Sequence, residues 1–100
     1  MKVLVGKEAD IEEGRLIGLN IDGRPVIVGR YGGSLYAMDG KCSHMGYDLS
    51  KGKFVDGVVK CPLHGAEFDL RSGKRLAHSG ARDLMVYIVS IEGDDVYLDI

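Results

Sequence analysis

Two short segments of the chain each place a cysteine and a histidine close together: Cys42-Ser43-His44 and Cys61-Pro62-Leu63-His64. The chain has only two cysteines and three histidines, so these segments hold nearly all of its sulfur and imidazole metal ligands. Thiolates bind iron–sulfur clusters or zinc, and imidazole suits both metals. The residue types therefore predict a metal site with Cys42, His44, Cys61 and His64 as ligands, and they leave the metal open.

The mixed composition of each segment bears on which metal is bound. Structural zinc sites usually pair cysteine with cysteine on one loop. Here each segment offers one sulfur and one nitrogen, as a two-iron site needs if one iron takes both sulfurs and the other both nitrogens. A disulfide between Cys42 and Cys61 would leave the two histidines unexplained. The pattern favours a two-iron cluster, with zinc as the alternative.

The spacing and flanks of the two segments carry a family resemblance. Sixteen residues separate His44 from Cys61, and His64 is followed by Gly65-Ala66-Glu67-Phe68-Asp69. This pattern resembles the Rieske family, whose signature is C-x-H, then about fifteen to seventeen residues, then C-x-x-H. The resemblance implies one [2Fe-2S] cluster held by Cys42, His44, Cys61 and His64.

Short apolar runs separated by turn signals predict an all-β fold. Ile17, Leu19 and Ile21 alternate with other residues and are expected on one face of a strand. Asp22-Gly23 and Gly32-Gly33 are predicted to be turns between strands. A single acidic helical turn is possible near residues 8–13.

The resemblance makes this fold more specific. It implies one Rieske domain over residues 1–100, with an antiparallel β-sandwich base and a small cluster-binding subdomain at one end. That subdomain is expected at about residues 41–70, and one hundred residues are enough for one modest core. Within it, Gly46, Gly52 and Gly65 are expected to let the two ligand loops approach each other closely.

The resemblance also implies a function. It predicts a soluble one-electron carrier that passes electrons from a ferredoxin reductase to an acceptor such as a terminal oxygenase, and that is not an enzyme by itself. A terminal oxygenase would need two further histidines for a mononuclear iron, and only His78 remains. Two alternatives stay open: a small Rieske-like subunit of a reductase complex of the nitrite-reductase type, and a zinc-stabilised interaction module.

Composition excludes other classes of function. The formal net charge of −2 argues against electrostatic binding of nucleic acid. No run of eighteen apolar residues or signal peptide is present, so neither a membrane partner nor export is expected. The predicted compartment is the cytoplasm.

Residues near the ligands bear on the reduction potential. High-potential respiratory relatives place Ser and Tyr where this chain has Ala66 and Phe68, and they carry a disulfide at the positions of Tyr47 and Leu63. The resemblance therefore implies a low potential here. Met45 and Leu63 are expected either to form a small apolar contact patch or to shield the cluster.

Overall fold

The computed structural model describes residues 1–43, 46–63, 65–77 and 80–100. In these ranges the chain forms ten β-strands and two short 3-10 helices. The strands are β1 (Lys2–Lys7), β2 (Leu16–Ile21), β3 (Arg24–Tyr31), β4 (Ser34–Asp39), β5 (Lys53–Val55), β6 (Val58–Lys60), β7 (Glu67–Asp69), β8 (Arg75–Ala77), β9 (Val86–Glu92) and β10 (Asp95–Asp99). The 3-10 helices span Glu8–Asp10, where the acidic turn was predicted, and Leu49–Lys51.

The strands form two antiparallel sheets. The larger sheet has the order β1-β10-β9-β4-β3-β2, and the smaller has the order β5-β6-β7-β8. All of the strand pairs in the described ranges are antiparallel. The predicted all-β, antiparallel fold class is confirmed.

The conformation of two hairpin turns is explained by the two residues at the centre of each turn. Asp22 and Gly23 have φ values of 51° and 83°, and Gly32 and Gly33 have φ values of 62° and 83°. Two successive positive φ values are the geometry of the type I′ turn, whose twist matches that of the flanking strands. Both predicted turns therefore join the strands around them, β2 to β3 and β3 to β4.

The larger sheet bends so that its two halves pack together. Strands β4 and β9 pair through only two residue pairs, one of them Ala37 with Tyr87. Buried side chains of β3, such as Val28, share a first core with Val96 and Leu98 of β10. The predicted face of β2 packs against this core through Ile17, Leu19 and Ile21. The result is the sandwich base.

Strands β3 and β4 separate this base from a second core. Val26 and Val28 face the first core, whereas Ile27 between them is buried in the second. Burial on both faces explains why the run is apolar without alternation. The second core also contains Met38 of β4 and Phe68 of β7, and it holds both cysteines.

No helix in the described ranges has the length and apolar character needed to cross a membrane.

Candidate metal centre

The two cysteines lie in loops that leave strands of different sheets. Cys42 follows β4 of the larger sheet, and Cys61 directly follows β6 of the smaller one. Cys42 is 2% exposed and Cys61 is 1% exposed, and both are free thiols. The fold therefore brings two unpaired sulfurs into the same apolar core.

The pKa of the Cys61 thiol reflects both its burial and the presence of Cys42 in the same core. Burial raises the pKa of the Cys61 thiol above its ordinary value, because the apolar core disfavours a thiolate. The backbone N–H of Leu63 acts in the opposite direction and lowers the pKa of Cys61. The nearby Cys42 thiol raises the pKa of Cys61 further. A bound metal ion would lower the pKa of the Cys61 thiol instead, since coordination stabilises the thiolate.

Each of the two cysteine loops is closed by a backbone hydrogen bond of the same kind. The N–H of Cys42 donates to the carbonyl of Tyr47 over 2.8 Å, and the N–H of Cys61 donates to the carbonyl of Ala66 over 2.8 Å. Each bond links a cysteine to the residue five positions later. Both sulfurs are thus held by turns of the same size.

Glycines permit these turns and bring the loops together. Gly46 and Gly65 stand four positions after their cysteines and have φ values of 68° and 72°, a region that disfavours residues with a Cβ. Gly52 has ordinary extended φ, but a Cβ there would lie 2.1 Å from the carbonyl oxygen of Lys60. The expected close approach of the loops is therefore found at Gly52. A Cβ would meet nothing within 4 Å at Gly46 and only the Lys60 side chain at 3.6 Å at Gly65, so these two glycines serve the turns.

The first loop is completed at Asp48. Its carboxylate accepts hydrogen bonds from the backbone N–H of Ser50 over 2.9 Å and from the Ser50 hydroxyl over 2.7 Å. The hydroxyl hydrogen bond is the main reason that the pKa of Asp48 lies below its ordinary value. This cap begins the 3-10 helix, and it places Leu49 in the second core.

A third segment, residues 80–84, holds the first loop in place, and the sequence analysis did not find it. The Ser43 hydroxyl donates to the carbonyl of Arg82 over 2.6 Å and accepts from the Arg82 N–H over 2.7 Å. Ala81 and Leu84 are buried in the second core with the cysteines. No sequence motif marks this segment, because its contacts are made by backbone groups and small apolar side chains.

The predicted histidine ligands, His44 and His64, lie outside the described residues, as do Met45 and His78. Within the described ranges no group of three metal-binding side chains occurs, and the two cysteines are the described part of the predicted ligand set. Leu63 of the expected apolar patch is 41% exposed.

The described residues fit the sulfur half of a two-iron cluster. Two free thiols share one core, and the described part of the chain has no buried polar or charged residue there. The backbone N–H of Leu63 lowers the pKa of the Cys61 thiol, as a donor near a cluster ligand would. Two buried thiols without a disulfide are chemically suited to a metal that replaces their protons.

Residues 1–87 of the chain match the model of the Rieske [2Fe-2S] domain. The chain belongs to the Rieske family. It is 40% identical over 94 residues to the 3-phenylpropionate/cinnamic acid dioxygenase ferredoxin subunit of Escherichia coli (strain K12), covering 92% of this chain and 87% of that one. The resemblance inferred from the ligand spacing is therefore confirmed.

Solved structures of ferredoxins share the fold of this Rieske protein. The ferredoxin of carbazole 1,9a-dioxygenase from Nocardioides aromaticivorans IC177 matches with a TM-score of 0.90 and 30% identity, covering 97% of this chain and 95% of that one. A chain of the complex of reduced oxygenase and oxidized ferredoxin in carbazole 1,9a-dioxygenase matches with a TM-score of 0.91 and 28% identity, covering 97% and 91%.

Proposed function

We propose that this Rieske protein is a soluble one-electron carrier that accepts electrons from a ferredoxin reductase and passes them to a terminal oxygenase. The observation that carries the proposal is the burial of two free thiols in one core on matching turns. Its similarity to ferredoxin subunits of dioxygenases supports the choice of partners. In this role the chain is a component of an oxidoreductase system and not an enzyme by itself.

Each proposed ligand has a defined task. Cys42 and Cys61 would hold one iron, and His44 and His64 would hold the other. A bound [2Fe-2S] cluster supplies the one-electron redox chemistry. The Leu63 N–H stabilises negative charge on the Cys61 sulfur, and the apolar side chains of the second core exclude water from both thiolates.

The division of the chain follows from the same proposal. Residues of about 41–70 form the cluster-binding subdomain, and the larger sheet forms the base. Strand β8 (Arg75–Ala77) pairs with β7 and extends the smaller sheet beyond that range. We place the protein in the cytoplasm, where the reducing environment keeps Cys42 and Cys61 as thiols.

Metal analysis tests the proposal. We expect about two iron and two acid-labile sulfide per chain, a red-brown colour that bleaches with dithionite, and an EPR signal only after reduction. The variant Cys61→Ser should lose the iron, and the control Ser72→Ala, in a turn on the far side of β7, should keep it. A colourless protein containing zinc and no sulfide would instead support the interaction module.

A further inference from the structure

The Ser43 side chain makes hydrogen bonds in both directions with one residue far along the chain. Its hydroxyl donates to the carbonyl of Arg82 over 2.6 Å and accepts from the Arg82 N–H over 2.7 Å. A hydroxyl has a single hydrogen to donate, and here a backbone carbonyl accepts it. Ser43 therefore does not donate to a cluster in this arrangement. An effect of its hydroxyl on the metal centre has to act through Arg82.

Arg82 lies in a segment that the smaller sheet holds from the other side. The N–H of Leu84 donates to the carbonyl of Gly73 over 2.7 Å, and the Asp83 carboxylate accepts from the N–H of Arg75 over 2.9 Å. A Cβ at Gly73 would lie 2.1 Å from the Leu84 carbonyl oxygen, so the two backbones are in close contact. The segment is thus fixed to the turn between β7 and β8 and to the start of β8.

These contacts close a ring that includes both cysteine loops. Strand β7 pairs with β6, and Cys61 directly follows β6. From Cys61 the ring runs through the smaller sheet to Arg82, and then through the Ser43 hydroxyl to the first loop. In the sequence, the predicted ligands Cys42 and His44 stand on either side of Ser43. The Ser43 hydroxyl thus joins the first cysteine loop to the sheet that carries the second.

We propose that Ser43 is a positioning residue of the metal centre, which acts through Arg82 to fix the first cysteine loop relative to the second. The proposal rests on the proposed function, because a cluster needs ligands from both loops at once. A metal bound between two loops is held less tightly when one loop can move away from the other. Removing a group that orients metal ligands typically lowers metal affinity about ten- to hundredfold.

Four variants test the proposal. Ser43→Ala and Ser43→Val lack the hydroxyl, whereas Ser43→Thr keeps it in a side chain with the shape of Val. Ser72→Ala is the matched control. The Ser72 hydroxyl also donates one hydrogen bond, to the Asp69 carboxylate over 3.0 Å, and accepts one, from the Lys74 N–H over 3.2 Å. Both of its partners lie within three residues of Ser72, so neither bond joins the two cysteine loops.

The first measurement is the rate at which the purified protein releases its metal to excess pyridylazoresorcinol, a chelator that binds both iron and zinc. We expect Ser43→Ala and Ser43→Val to release metal at least about fivefold faster than the unmodified chain. Ser43→Thr and Ser72→Ala should stay within about twofold of the unmodified rate. The EPR lines of the reduced protein should be broader in the two hydroxyl-free variants of Ser43, because a less fixed loop gives a wider distribution of cluster geometries.

Amide hydrogen exchange of residues 80–84, followed by mass spectrometry, shows whether the effect passes through Arg82. In Ser43→Ala this segment should exchange at least about fivefold faster than in the unmodified chain, since the Arg82 N–H has lost its acceptor. Thermal unfolding of each variant verifies that it is folded. A general loss of stability would act in Ser43→Ala and Ser72→Ala alike.

Metal release from Ser43→Ala at the unmodified rate overturns the role of Ser43. Equal release from Ser43→Thr and Ser43→Val, equal release from Ser72→Ala and Ser43→Ala, or unchanged exchange of residues 80–84 also overturns it. Iron and sulfide are measured in the unmodified chain as well. A chain that holds zinc without sulfide contradicts the proposed electron carrier, whereas the release rates still decide the role of Ser43. A chain that binds no metal contradicts both proposals.

Discussion

The burial of Cys42 and Cys61 in one core depends on small residues whose role is steric. Gly46 and Gly65 allow the two turns, and a side chain at Gly52 would collide with the Lys60 carbonyl. Ala66, fully buried, closes the second loop with its carbonyl oxygen. Few larger residues could occupy these positions while both sulfurs stay in the same core.

The fully buried Ala66 and Phe68 have no hydroxyl to donate to a cluster, and we predict that Ala66→Ser raises the reduction potential. The reduced cluster carries more negative charge, so a hydroxyl donor stabilises it more than the oxidised form. A hydrogen bond stronger by about 1.4 kcal/mol in the reduced state shifts a one-electron potential by about 59 mV. Protein-film voltammetry measures the shift.

The matched control for this prediction is Ala37→Ser. Ala37 is also buried, but it lies in the first core, away from the cysteines. The Ala37→Ser substitution should leave the reduction potential unchanged. An unpaired buried hydroxyl lowers the stability of the fold in either position. A potential that is equal in Ala66→Ser and in the unmodified protein contradicts the explanation.

At the scale of elements, the short β4–β9 pair is the place where the two halves of the larger sheet meet. Only two residue pairs form there, and a hydrogen-bond chain reinforces the junction. The hydroxyl of Tyr87 donates to Asp39 over 2.5 Å and accepts from Arg24 over 3.3 Å. This chain ties β9 to both β4 and β3.

We predict that Tyr87→Phe destabilises the fold by about 1 kcal/mol at pH 7, the usual net value of one hydrogen bond. Burial, and next the hydrogen bond to Asp39, raise the pKa of Tyr87 above its ordinary value of about 10, while Arg24 opposes them. The neutral phenol therefore stabilises the fold below pH 10, and this contribution is lost as the pH rises through the folded-state pKa.

The free energy of unfolding in urea should accordingly differ less between the two forms at pH 11 than at pH 7. Tyr97→Phe is the control, because in the described structure the Tyr97 hydroxyl makes no hydrogen bond, whereas that of Tyr87 makes two. A difference for Tyr87→Phe that is as large at pH 11 as at pH 7 would show that the ionisation of Tyr87 does not affect folding.

At the scale of the whole molecule, two cores share the wall formed by β3 and β4. The second core contains Cys42 and Cys61, and the first contains no cysteine. A cluster bound between the loops therefore stabilises mainly the smaller sheet and the segment of residues 80–84. The base has its own apolar packing.

We predict that removal of the cluster under anaerobic conditions weakens the two parts unequally. Amide hydrogen exchange should accelerate in β6, β7 and residues 80–84, while β1 and β10 keep most of their protection. Mass spectrometry of the exchanged protein measures each segment. Equal acceleration in all strands would mean that the two cores unfold as one unit.

The sequence by itself determined the family, the all-β class and several of the turns. The Cys and His spacing is a property of the chain, and Asp22-Gly23 and Gly32-Gly33 form turns because short-range sterics favour positive φ at those residues. The alternation of Ile17, Leu19 and Ile21 fixed one face of β2 for the same local reason. His44 and His64 as ligands remain a prediction.

Only the tertiary structure decided which distant groups meet. The shared core of Cys42 and Cys61, the bond of Ser43 to Arg82 and the pairing of Lys53 with Lys60 depend on how strands are ordered in space. The two-sided burial of Ile27 and its neighbours depends on a second layer formed by later residues. Such contacts are set by topology and packing, which no short stretch of sequence encodes.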